Sequence, residues 1–88
     1  MLQNAIFRVW ILIGKLSNFA AVNVNEIFGK RVADLRKAKH LSQEELADRC
    51  DVHRTYIGAI ERGEKSPTLN TIEKIAAGLG INIKEFFE

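Results

Sequence analysis

The stretch "LSQEELADRCDVHRTYIGAIERG", from Leu41 to Gly63, constrains this chain more than any other. It holds two short helix-forming runs separated only by the turn "CDV". Ser42 and Glu45 form a capping box: the serine oxygen takes the free amide three residues on, and the glutamate reaches back. Leu46 and Ala47 give the first run its buried face. Asp51 stands where a left-handed turn residue is wanted, and Asp tolerates that conformation better than most residues. The second run covers about His53 to Glu61, with Ile57 and Ile60 inward, and Gly63 ends it. Gly58 sits in its middle, where a glycine costs about 1 kcal/mol relative to alanine. Two short helices, a tight turn at Asp51, a small residue (Ala47) at the crossing and an anchor at Ile57 read as a helix-turn-helix.

The flanks supply the rest of an all-α domain. Phe28, Val32 and Leu35 recur at i, i+4, i+7, which predicts a helix over Glu26 to Lys39 with one buried stripe. Asn25 is its expected N-cap, and Arg36, Lys37, Lys39 and His40 lie toward its negative dipole end. After the motif, Thr68 should cap a helix that turns Leu69, Ile72, Ile75, Ala76 and Leu79 to the core and stops at Gly80. "NIKEFFE" predicts a last short helix capped by Asn82. The expectation is a compact five-helix domain over 26–88, preceded by an apolar extension over 1–25.

The totals exclude several functions. The 88 residues carry one domain and no room for two. A net charge of +2 permits a nucleic-acid partner without arguing for one. Cys50 is the only cysteine, so no intrachain disulfide forms, and a reducing cytoplasm fits. Its expected role is a small buried residue at a helix end. His40 and His53 lack partners at metal-ligand spacing, so neither a metal nor another cofactor is expected. No nucleophile–base pair or phosphate loop appears, and no catalytic residue is assigned. Glu44, Glu45 and Asp48 read as a solvated acidic face.

From Phe28 to Phe87 the chain resembles the lambda-repressor-like, Xre-type family of bacterial regulators. "LSQEELA", "YIGAIERGEKSPTL" and "IAAGLGI" fall in that family's order and spacing. Within it, "HRTYIGAIERG" looks most like the small controller proteins of restriction-modification systems. The chain departs from the pattern at two places. Asp51 replaces the usual turn glycine, and His53 stands at an N-cap more often held by Ser, Thr or Asp. A neutral imidazole can accept a bond there, or can touch a phosphate instead.

The resemblance implies a sequence-specific, cytoplasmic regulator that binds double-stranded DNA with the helix 53–61 in the major groove. Base readout would fall to Arg54, Thr55, Tyr56, Gly58 and Ala59. Arg54 can bond O6 and N7 of guanine together, worth about 1–3 kcal/mol of discrimination. Thr55, Gly58, Ala59 and Arg62 are expected to point outward, with Gly58 and Ala59 letting the helix sit close to the bases. The other reading of Gly58 is packing against a second helix, and that of Tyr56 is partial burial. Gln43, His53, Arg62, Lys65, Ser66 and Asn70 would meet the sugar-phosphate backbone. Arg36 and Glu61 are expected to form a structural ion pair that orients the helix.

Regulators of this kind bind paired half-sites as dimers. The proposed twofold interface contains Leu79, Ile81, Ile83, Phe86 and Phe87, although one phenylalanine should close the chain's own core. "NAIFRVWILIGKLSNFAAV" lies outside the resemblance. Its apolar run between Arg8 and Lys15 is too short for a bilayer span, which needs about 20 residues, so no membrane association is expected. It lacks the early positive region and cleavage site of a signal peptide. An exposed patch of Phe7, Trp10, Ile11 and Ile13 should pack on a partner chain or on its own domain. That supports a second function, an antitoxin-like or adaptor module whose first 25 residues bind another protein. A third reading is that natural translation starts near Val22 or Val24.

Overall fold

Asn23 caps the first described helix, its side chain accepting from the Asn25 amide at 2.9 Å. The computed structural model describes residues 23–88, so expectations for residues 1–22, including a protein partner there, lie outside the described residues. Helix α1 spans Val24–Ala38, α2 Gln43–Cys50, α3 Arg54–Glu61 and α4 Leu69–Leu79, followed by a 3₁₀ helix at Ile83–Phe87. No strand occurs among the described residues.

Two expectations need correction here. The cap of α1 is Asn23 rather than Asn25, because the Ile27 amide already bonds the Asn23 carbonyl at 3.1 Å and extends the helix backward. Among the described residues the domain has four α-helices rather than five. The last run is a single turn closed by the tighter i→i+3 bond from the Glu85 amide to the Asn82 carbonyl, 3.0 Å, as suits so short a segment.

Each helix ends the same way. One or two residues past its end, a residue takes positive φ: His40 at 57°, Asp51 at 56°, Gly63 at 75° and Gly80 at 69°. The next amide then reaches back to an orphan carbonyl. Leu41 bonds Arg36, Val52 bonds Ala47, Glu64 bonds Ala59 and Ile81 bonds Ala76, all within 2.9–3.1 Å. These are Schellman motifs, whose following residue commonly makes a hydrophobic contact. Leu41 is buried, and Val52 and Ile81 pack against the core. Glu64 is the exception.

The core sits where α2 crosses α4 and α3, and α1 closes over α3. Val32, Leu46, Ile57, Ile60, Ile75 and Leu79 are fully buried. Burying each such side chain is worth about 1.5–3 kcal/mol. Leu69, expected inward, is 76% exposed, because it is the first residue of α4 at the end of the apolar stripe. Arg31 ties α1 to the 3₁₀ helix by donating Nε and Nη2 to the Glu85 carbonyl at 3.2 and 2.9 Å.

Candidate nucleic-acid interface

The site is built on α2, its turn and α3. Ser42 caps α2 through a reciprocal box: the Glu45 amide donates to Ser42 Oγ at 3.0 Å, and the Ser42 amide donates to Glu45 Oε1 at 3.1 Å. These bonds hold the Glu45 carboxyl below its ordinary pKa, the backbone bond contributing most. Asp51 turns the chain, and His53 caps α3 by accepting the Thr55 amide on Nδ1 at 3.1 Å.

Arg54 and Thr55 are exposed in the first turn of α3, and no side-chain bond to another of the described residues occupies them. Tyr56 is half-buried and packs against the core. Gly58 and Ala59, expected to point outward, are both buried. For Gly58 the cover is made of side chains. A Cβ there would meet Arg62 Nη1 at 3.0 Å, Gln43 Oε1 at 3.5 Å and Gln43 Nε2 at 3.8 Å.

Beside it lies a three-residue network. Arg36 donates Nε to Glu61 Oε2 at 2.7 Å and Nη2 to Glu61 Oε1 at 3.0 Å. It also donates Nη1 to the Leu41 carbonyl at 2.8 Å. The side chains of this pair are 11% and 7% exposed. Donating hydrogen bonds to the Glu61 carboxylate raises the Arg36 pKa against the opposing effect of burial. Gln43 donates Nε2 to Glu61 Oε1 at 2.9 Å, so its side chain is turned toward the pair. The network links α1, α2 and the end of α3.

The remaining expected backbone contacts, Arg62, Lys65, Ser66 and Asn70, are all exposed beyond or after α3. Arg62 pairs with Glu64. In the expected interface, Leu79 and Phe86 belong to the chain's own core, 1% and 5% exposed, and are unavailable to a second copy. Phe86 packs edge-on against Phe28 at 5.1 Å between ring centroids. Ile81 is half-buried, while Ile83 and Phe87 remain exposed.

Sequence reasoning passed over two glycines that fix the helix crossings. A Cβ on Gly29 would collide with the Ile60 carbonyl oxygen and lie 2.8 Å from that of Glu61, so α1 touches the backbone of α3. A Cβ on Gly78 would strike Cys50 Sγ. The available signal was a glycine within each helical run, mid-helix for Gly29 as for Gly58 and next to the last residue for Gly78.

Two short helices at a three-residue turn, with the second helix's first turn open to solvent, define a helix-turn-helix protein. The HTH_3 helix-turn-helix family model matches residues 32–86, and the chain belongs to that family. It is 45% identical over 67 residues to control protein C.BamHI of Bacillus amyloliquefaciens, a match covering 75% of this chain and 83% of that one. It is 48% identical over 61 residues to control protein C.MunI of Mycoplasma sp, covering 68% and 82%. Among solved structures, the restriction-modification controller protein C.AhdI from Aeromonas hydrophila superposes with a TM-score of 0.71 at 43% identity, covering 72% of this chain and 96% of that one.

Proposed function

We propose that this chain is a sequence-specific, DNA-binding transcriptional regulator that acts in the cytoplasm as a homodimer on a (pseudo)palindromic operator. The observation that carries this reading is the open first turn of α3. Arg54 and Thr55 face solvent there, at a helix end whose cap is supplied by His53. With α3 in the major groove, Arg54 reads a guanine edge and Thr55 a thymine methyl or a phosphate. The half-buried Tyr56 suits a flanking phosphate. His53, Arg62, Lys65, Ser66 and Asn70 hold the backbone, and Gln43 brings the N-terminus of α2 to a phosphate.

The names of the relatives support a finer assignment, an autoregulatory controller of a restriction-modification system. Control then comes from the protein's own concentration and dimerisation. The test is a footprint on the DNA upstream of its own gene at fixed salt, beside Arg54→Ala. A protected palindrome that Arg54→Ala loses is the expected result. No protection at micromolar protein rejects self-regulation at that site.

A further inference from the structure

The end of α3 breaks a rule that the other three helix ends keep. Leu41, Val52 and Ile81 follow their left-handed residues and pack into the core. Glu64 holds the equivalent place after Gly63 and is exposed. Its backbone amide does the structural work, donating to the Ala59 carbonyl at 2.9 Å. The fold makes no use of its side chain as a hydrophobic contact.

That side chain engages Arg62. Arg62 donates Nε to Glu64 Oε2 at 2.5 Å and Nη2 to Oε1 at 3.4 Å. The third guanidinium nitrogen, Nη1, lies 3.0 Å from where a Cβ on Gly58 would sit. Arg62 is therefore folded back along α3 and lies across Gly58, with Gln43 on the same spot. The two side chains are 58% and 54% exposed, and ion pairs this exposed add little to folding stability. The hydrogen bond from Arg62 holds the Glu64 carboxyl below its usual range, so it is charged near neutral pH.

We propose that Glu64 is an internal competitor for DNA: in the free protein its carboxylate occupies the Arg62 guanidinium and holds it over Gly58, and a phosphate must displace it. The proposal rests on α3 being the DNA-reading helix. A carboxylate and a phosphate both suit the Nε/Nη2 edge of a guanidinium, so that edge of Arg62 serves one or the other. Gly58 provides the room for this resting position, since a side chain there would crowd Nη1. Glu64 thus lowers affinity for DNA and sets how steeply that affinity depends on salt.

The experiment measures operator binding by the full chain across a range of NaCl concentrations, using the duplex found by the footprint. It compares wild type, Glu64→Gln, Arg62→Gln and the double variant, with melting temperatures to show that each folds. Glu64→Gln should bind several-fold tighter, with the log–log salt slope steeper by about one phosphate contact per protomer. In the Arg62→Gln background, Glu64→Gln should gain little. Equal tightening in both backgrounds would show that Glu64 acts only as a nearby negative charge and would overturn the proposal. Unchanged or weaker binding by Glu64→Gln would overturn it as well. If wild type binds no operator, the regulator reading fails; if wild type binds and Glu64→Gln behaves identically, only this inference fails.

Discussion

At the scale of single residues, the glycines separate what the fold requires from what it tolerates. Gly29 and Gly78 sit at backbone and sulfur contacts that leave no room for a methyl group, and Gly63 and Gly80 occupy positive φ. Gly58 has neither constraint: its near neighbours are the ends of two flexible side chains. Gly58→Ala should therefore stabilise the free protein by about 0.5–1 kcal/mol, the usual helix gain, and raise its melting temperature by several degrees. By crowding Arg62 Nη1 it should also loosen the Arg62–Glu64 resting pair and so tighten operator binding. Gly29→Ala should do the reverse, costing about 1–3 kcal/mol through overpacking. Melting curves and binding isotherms on the two variants check both signs. The mid-helix position of Gly58 was legible in the sequence. Its burial was not, because the cover comes from Gln43, fifteen residues upstream, and from an arginine one turn on.

At the scale of elements, capping chemistry made much of the chain readable. Ser42, His53, Thr68 and Asn82 each accept a backbone amide at their helix starts, as their positions in the sequence suggested. Gly63, Gly80 and Asp51 end helices through a left-handed residue, which local residue type predicts. His40 does the same without a comparable signal, since its conformation is imposed by Leu41 turning into the core. The start of α1 was misplaced because Asn23 and Asn25 are equally good caps and only geometry chooses between them. The Ser42 box also carries a pH dependence. The folded Glu45 pKa lies below its unfolded value near 4.5, so the stabilisation is present above that value. It is lost as pH falls through the lower, folded pKa. Glu45→Gln keeps a capping side chain and removes the titration, so its melting temperature should fall less than that of wild type in acid below about pH 4.5.

At the scale of the whole molecule, the question is which apolar residues remain for a partner once the core is closed. The sequence pattern of Ile81, Ile83, Phe86 and Phe87 showed an excess of apolar surface without showing which side chains close the domain. That division depends on Phe28, some 58 residues upstream of Phe86, whose ring meets both phenylalanines at 5.1 and 6.4 Å. Phe86 is taken by the core, while Phe87 is 69% exposed, and Ile83 is exposed as well. Two adjacent phenylalanines should therefore give opposite phenotypes. Phe86→Ala empties a core position and should destabilise the fold by about 3–5 kcal/mol, which denaturant melts will register. On the proposed dimer, Phe87→Ala should leave a folded chain that sediments as a monomer at concentrations where wild type associates. Since two half-sites are then bound independently, its operator affinity should fall while its contacts within one half-site persist. A Phe87→Ala variant that remains dimeric would move the twofold interface away from the C-terminal turn, toward the exposed apolar residues Val24 and Ile27 of α1.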